Sequence, residues 1–197
     1  MRAQGTDVIR LDMGSPDMPP APFILQELKR SADLPNRRGY SQLGGSPSFR
    51  KAVATYYMRH FDVTLNADSE VVGLIGSKEG LFHLSMAFLD PGDVALVPDT
   101  GYAVYASAAR FAGAEVMTMP LLEQNNFLPD LSTIPETVRQ RAKLLWLNYP
   151  NNPTGAIASD AFFTELIDFA QAHQILVCHD APYLHITYDD YQAPSLL

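Results

Sequence analysis

At 197 residues, with 47% hydrophobic and 18% charged, the chain can bury a sizeable core and fits one domain or one large lobe of a bigger fold, which excludes a disordered chain. The formal net charge of -8 and the pI near 4.9 argue against a nucleic-acid partner, because phosphate binding needs clustered cations and no basic run is longer than a pair such as Arg37-Arg38. The single cysteine, Cys178, lies in an apolar run and excludes a disulfide framework, so a cytoplasmic, reducing environment is expected, with no membrane span and no signal peptide.

In chain order, the first apolar run is Val8-Ile9-Arg10-Leu11. It breaks at Gly14-Ser15-Pro16-Asp17, and Pro19, Pro20 and Pro22 then impose an extended loop. A helix is predicted over 23–31. Arg37-Arg38-Gly39-Tyr40 and Leu43-Gly44-Gly45 form a second loop, after which Ser46 and Pro47 supply an N-cap and a first-turn proline. The helix that follows carries an apolar face of Phe49, Ala52, Val53, Tyr56 and Tyr57.

From Val71 the pattern changes to short apolar runs alternating with helices. Residues 71–75 read as a buried strand, Gly76-Ser77-Lys78-Glu79-Gly80 as a tight turn, and 81–89 as an apolar helix ended by Asp90-Pro91-Gly92. His83, on that helix, reads as a satisfied core residue. Further strands are predicted over 94–97, 115–119, 144–147 and 175–178, with helices over 102–111 and 159–172. This alternation predicts an α/β fold, a three-layer α/β/α arrangement around a mostly parallel sheet.

In such sheets ligands gather at the carboxyl ends of the strands, and three loops occupy that edge. The first is Gly76 to Gly80, where helix-start amides and the Ser77 hydroxyl would suit a phosphate, although an ordinary strand-to-helix turn reads equally well. The second is Leu147-Asn148-Tyr149-Pro150-Asn151-Asn152-Pro153-Thr154-Gly155, too rich in Asn, Pro and Gly to continue a strand or start a helix. The third is His179-Asp180-Ala181-Pro182-Tyr183. Asp180 closes a buried strand and calls for a cationic partner, unless it is a plain loop or capping carboxylate. Tyr183 could bring a phenol to the same place, or be a core tyrosine. Tyr102, after Asp99-Thr100-Gly101, could stack on a ligand or simply pack. The five histidines show no metal-ligand spacing, and no Gly-x-Ser-x-Gly elbow is present.

Taken together, these motifs resemble the large domain of a class I/II, fold-type I aminotransferase dependent on pyridoxal 5'-phosphate. The similarity runs through Gly14-Ser15-Pro16-Asp17, Arg38-Gly39-Tyr40-Ser41, the Gly76 to Gly80 block, Asp90-Pro91-Gly92-Asp93, Pro98-Asp99-Thr100-Gly101-Tyr102, Tyr149 to Gly155, and Asp180-Ala181-Pro182-Tyr183. The wording of two blocks is most similar to the LL-diaminopimelate aminotransferase group. The resemblance implies that Ser77 and Lys78 lie at the cofactor phosphate, that Tyr102 stacks on the pyridine ring, and that Asn152 and Tyr183 bind its phenolic oxygen. It makes Asp180 and Tyr183 the catalytic candidates, with Asp180 paired to the ring nitrogen. Tyr40 would reach the phosphate of the partner subunit's cofactor in a homodimer, and Gly14 would lie beside the substrate carboxylate. Amino acids and 2-oxo acids are the implied substrates.

The departures from the family pattern give a second set of expectations. The Schiff-base lysine and the later arginines of the family have no counterpart here, so the chain is expected to be a truncated large domain, inactive alone. Residues 1–45 would form an N-terminal segment with a dimer and substrate loop, and 46–197 an incomplete cofactor-binding domain. The rival reading is a non-catalytic cofactor-binding or assembly half, or a truncated pseudoenzyme.

Overall fold

A computed structural model describes residues 5, 7, 9, 14, 16–35, 39–40 and 42–197. The expectations placed on Val8, Arg10, Leu11, Ser15, Arg37, Arg38 and Ser41 lie outside the described residues. The chain divides into two units, Met1–Gln42 and Leu43–Leu197.

In the first unit, α1 spans Pro22–Ala32 and starts on a proline, whose fixed φ suits the first helical turn and whose missing N–H costs nothing there. Arg30 pairs with Glu27 one turn back at 2.5 Å.

The second unit opens with α2, Pro47–Phe61, where the Ser46 hydroxyl accepts the Phe49 amide as the sequence predicts. Arg50 anchors this helix by donating to the carbonyls of Ala67 and Gly45 and meeting Asp68 at 3.1 Å. Then follow α3 (Ser77–Phe88), β1 (Val94–Asp99), α4 (Ala103–Phe111), β2 (Glu115–Pro120), the short α5 (Glu136–Arg139), β3 (Ala142–Leu147), α6 (Asp160–His173) and β4 (Leu176–His179). All strand pairs are parallel, in the order β2-β1-β3-β4.

Strand alternation divides the core into two. Successive side chains point to opposite faces, and a parallel sheet buried on both sides needs both sets apolar. Val94, Leu96, Leu145 and Leu147 meet Phe162, Phe163, Leu166 and Ala170 of α6 on one face. Ala95, Val97, Leu144, Trp146 and Cys178 meet Tyr105 and Ala109 of α4, with Leu81 and Leu84 of α3, on the other. This is the predicted three-layer architecture. Burial pushes the Cys178 thiol up to about 12, so it remains a protonated core group.

Three expectations are corrected. Residues 71–75 form no strand: Val72, Leu74 and Ile75 are 64%, 47% and 93% exposed. An apolar run becomes a strand only where a neighbour offers a ladder. The single backbone-to-backbone bond from this stretch is Gly73 N–H to the Gly44 carbonyl at 2.7 Å, and the Ile75 amide donates to the Glu79 carboxylate, while the sheet's edges are β2 and β4. The Gly76 to Gly80 block is not a tight turn, since α3 already begins at Ser77. Lastly, His83 is no core residue. Its side chain is exposed and lies 3.8 Å from Glu79 one turn earlier, because α3 turns that face to solvent.

Candidate functional site

The chain passes from β1 outward to β2 on one side and to β3 on the other, so the direction of winding reverses between β1 and β3. Crevices form at the carboxyl ends of strands at such a reversal. One does here: a cleft of about 320 Å³ lined by Ser77, Tyr102, Tyr105, Asn148, Asn152, Asp180, Pro182 and Tyr183. Five of the residues singled out from sequence, Ser77, Tyr102, Asn152, Asp180 and Tyr183, are brought together in it.

Each wall has a local cause. Gly76 caps α3 at φ +79°, a conformation that suits glycine, and leaves the first amides of the helix without intrahelical acceptors. Lys78, on the same turn, holds its ammonium 5.7 Å from the centre of the Tyr102 ring. Tyr102 sits at the N-cap of α4 after a turn that needs Gly101, where a Cβ would fall 2.5 Å from the Pro98 carbonyl oxygen.

The asparagine-rich loop assigns its three amides different work. Asn148 and Asn151 are buried and serve as internal struts. Asn148 donates to the Asp180 carbonyl at 2.8 Å and accepts the Asn152 amide at 2.7 Å, so one side chain ties the loop after β3 to the loop after β4. Asn151 donates to the Asn148 carbonyl at 3.1 Å and accepts the Thr154 hydroxyl at 2.8 Å. Asn152 alone is exposed, and its amide donates to the Tyr183 hydroxyl at 3.2 Å. Behind them His179 donates from Nε2 to the Tyr149 carbonyl at 2.9 Å, and burial holds its imidazole below the usual range.

Asp180 departs from expectation. Sequence reasoning calls for a cationic partner, but among the described residues its carboxylate is met by a phenol: Tyr105 donates to Oδ2 at 2.7 Å. Burial, and then this bond to Asp180, push the Tyr105 hydroxyl well above the ordinary tyrosine range, so it stays a donor. The sequence analysis did not single out Tyr105. The available signal was its place one helical turn after Tyr102, which puts both rings on one side of α4. Gly14 and Tyr40 belong to the Met1–Gln42 unit, where both are exposed.

The sequence profile described as aminotransferase class I and II matches residues 6–197. The chain belongs to this family. Class I and II aminotransferases work with pyridoxal phosphate, and the described geometry fits that group: a helix start with a neighbouring lysine for a phosphate, an aromatic ring beside it, an amide and phenol pair, and a carboxylate at a strand end. The chain is 52% identical over 196 residues to an LL-diaminopimelate aminotransferase of Dehalococcoides mccartyi and 50% identical to one of Moorella thermoacetica. Each alignment takes in all of this chain and 50% of the relative, so the chain spans about half the length of the curated relatives it matches. Among solved structures it resembles apo BacF of Bacillus subtilis, with a TM-score of 0.94 at 40% identity over 100% of this chain and 50% of that one. A probable N-succinyldiaminopimelate aminotransferase of Thermus thermophilus gives 0.90 at 39% identity, over 100% and 52%.

Among the described residues no group of three or more His, Cys, Asp or Glu could hold a metal, and no helix is long and apolar enough to cross a membrane.

Proposed function

We propose that this chain is the cofactor-holding lobe of an aminotransferase, moving an amino group between an amino acid and a 2-oxo acid. The observation that carries the reading is the convergence of Ser77, Tyr102, Asn152, Asp180 and Tyr183 on one cleft, with Lys78 at its border. Pyridoxal phosphate, when bound, supplies an electron sink for bond making and breaking at the amino acid's α-carbon.

In this reading the chain's own residues divide the task. Ser77, Lys78 and the amides opening α3 bind the phosphate. Tyr102 covers the ring, while Asn152 and Tyr183 hydrogen-bond its phenolic oxygen. Asp180 holds a proton on the ring nitrogen, because a carboxylate favours the cationic form of a base beside it. Tyr40 would reach the partner subunit's cofactor in a cytoplasmic homodimer and Gly14 the substrate carboxylate; support for these two roles is the family resemblance.

Of the lysines in the Leu43–Leu197 unit, Lys51 lies on α2 and Lys143 near the amino end of β3, away from the strand ends that form the cleft. Lys78 is committed to the phosphate. None of these three is therefore assigned as the Schiff-base lysine. The relatives' name makes LL-diaminopimelate the first amino donor to assay in a protein of full length.

The test is a titration with pyridoxal phosphate, followed by quenching of the single tryptophan, Trp146, which stacks on Tyr105 at the cleft wall. Saturable quenching, weaker for pyridoxal, is expected. Absence of saturation, or a borohydride-trapped adduct on Lys78, would overturn the reading.

A further inference from the structure

The reading above leaves unexplained why α4 carries a hydroxyl where only packing is required. Tyr105 is 1% exposed and lies almost parallel to Trp146, at 5.0 Å between ring centres and 9° between planes. Tyr102 meets it edge-on at 5.9 Å. A phenylalanine would fill this slot equally well, and a buried hydroxyl is tolerated only when it is hydrogen-bonded. The bond recorded for the Tyr105 hydroxyl is the one to Asp180 Oδ2.

Asp180 is held by its main chain as well as by Tyr105. Its amide donates to the Leu147 carbonyl at 2.8 Å, and its own carbonyl accepts Asn148. Those two bonds fix the backbone and leave the carboxylate free to rotate about χ1 and χ2. Among the described residues Tyr105 alone bonds the carboxylate, and it takes only Oδ2 of a residue that lines the cleft.

We infer that Tyr105 is a positioning residue that aims Asp180 at the ring nitrogen of the cofactor, with Trp146 as the rigid backing that prevents the phenol from moving. The inference rests on the proposed binding of pyridoxal phosphate. Its physical content is rotational. A carboxylate clamped at one oxygen presents the other in a single direction, and an ion pair gains most when neither partner must be ordered on binding. Tyr105 suits the task because, buried against Asp180, it does not surrender its proton near neutral pH.

The role is separable from packing by a ligand that lacks the atom Asp180 addresses. Affinities for pyridoxal phosphate and for its 1-deaza analogue, in which the ring nitrogen is replaced by C–H, are measured by equilibrium dialysis on the wild-type chain and on Tyr105→Phe. The wild type should prefer the nitrogen-bearing ligand, and Tyr105→Phe should reduce that preference about tenfold, the scale of one hydrogen bond to a charged group, while binding the analogue within about twofold of wild type. An unchanged preference, or equal weakening for both ligands, would overturn the positioning role. If the wild type shows no preference, the pairing of Asp180 with the ring nitrogen fails, and the inference with it; if it binds neither ligand, the proposed function fails first. Should thermal melting show Tyr105→Phe unfolded, Trp146→Phe is read instead. It keeps the hydroxyl and loosens its backing, so a partial loss of preference supports the role and an unchanged one overturns it.

Discussion

The side-chain amide of Asn148 bridges two loops that chain order keeps far apart, donating to the main-chain carbonyl of Asp180 and accepting the main-chain amide of Asn152. Because both partners are backbone groups, the bridge fixes where two proposed cofactor ligands emerge from the sheet, independent of their own side chains. Asn148→Ala removes both bonds at once and leaves a partly buried donor and acceptor unpaired. The expected cost is about 3 kcal/mol in urea unfolding, accompanied by weaker cofactor binding. A loss below about 1 kcal/mol would show that the loops hold each other by other means.

Lys78→Ala tests the phosphate end of the cleft. The variant should bind pyridoxal phosphate about tenfold more weakly and pyridoxal unchanged, since a charge-assisted contact to phosphate is lost and nothing else. Raising the salt concentration should narrow the difference between wild type and variant, because the ammonium is solvent-exposed. Equal losses for both ligands would place Lys78 at the ring rather than the phosphate.

His179 supplies a pH dependence with a definite sign. Burial lowers its affinity for protons in the folded state, against an ordinary value of 6.5, with the Tyr149 carbonyl and Asp180 opposing in part. A base whose folded pKa is depressed contributes stability that is present above its unfolded pKa and is lost as pH falls through the folded one. The melting temperature should therefore drop as pH is lowered from about 7.5 towards 5, and His179→Gln, which retains a donor for the Tyr149 carbonyl, should drop less. Parallel curves for the two proteins would remove His179 as the cause.

The contrast between the two faces of the apolar pattern can be read in stability. Leu145→Ala should cost about 3 kcal/mol, because that side chain is fully buried between β1 and β4 against α6. Ile75→Ser, at a position 93% exposed, should change the unfolding free energy by no more than about 0.5 kcal/mol. A large effect at Ile75 would mean that the 71–75 stretch is covered in solution.

The sheet was legible because its cause is local. A strand buried on both faces must be apolar at every position, and Val94 to Val97 and Leu144 to Leu147 are; the Ser46 cap was readable for the same reason, since a hydroxyl bonds an amide three residues on. The stretch at 71–75, apolar apart from Gly73, failed, because composition reports what a strand needs but not whether a neighbour is there to pair with it. His83 failed on a similar ground. An apolar helix has one face that meets solvent, and its sequence alone did not identify which.

By itself the sequence determined the α/β alternation, the loops at which chemistry could gather, and, through the order of motifs from Gly76 to Tyr183, the aminotransferase family. Only the tertiary structure showed that Asn148 and Asn151, the neighbours of Asn152, are struts that tie the loops together. It also supplied Tyr105, separated from Asp180 by 75 positions, where a cation had been expected. The reason is common to both. The partner of a polar group at a strand end is set by whatever the packed helices and loops bring within hydrogen-bonding distance, and that proximity is a property of the folded sheet which no local pattern encodes.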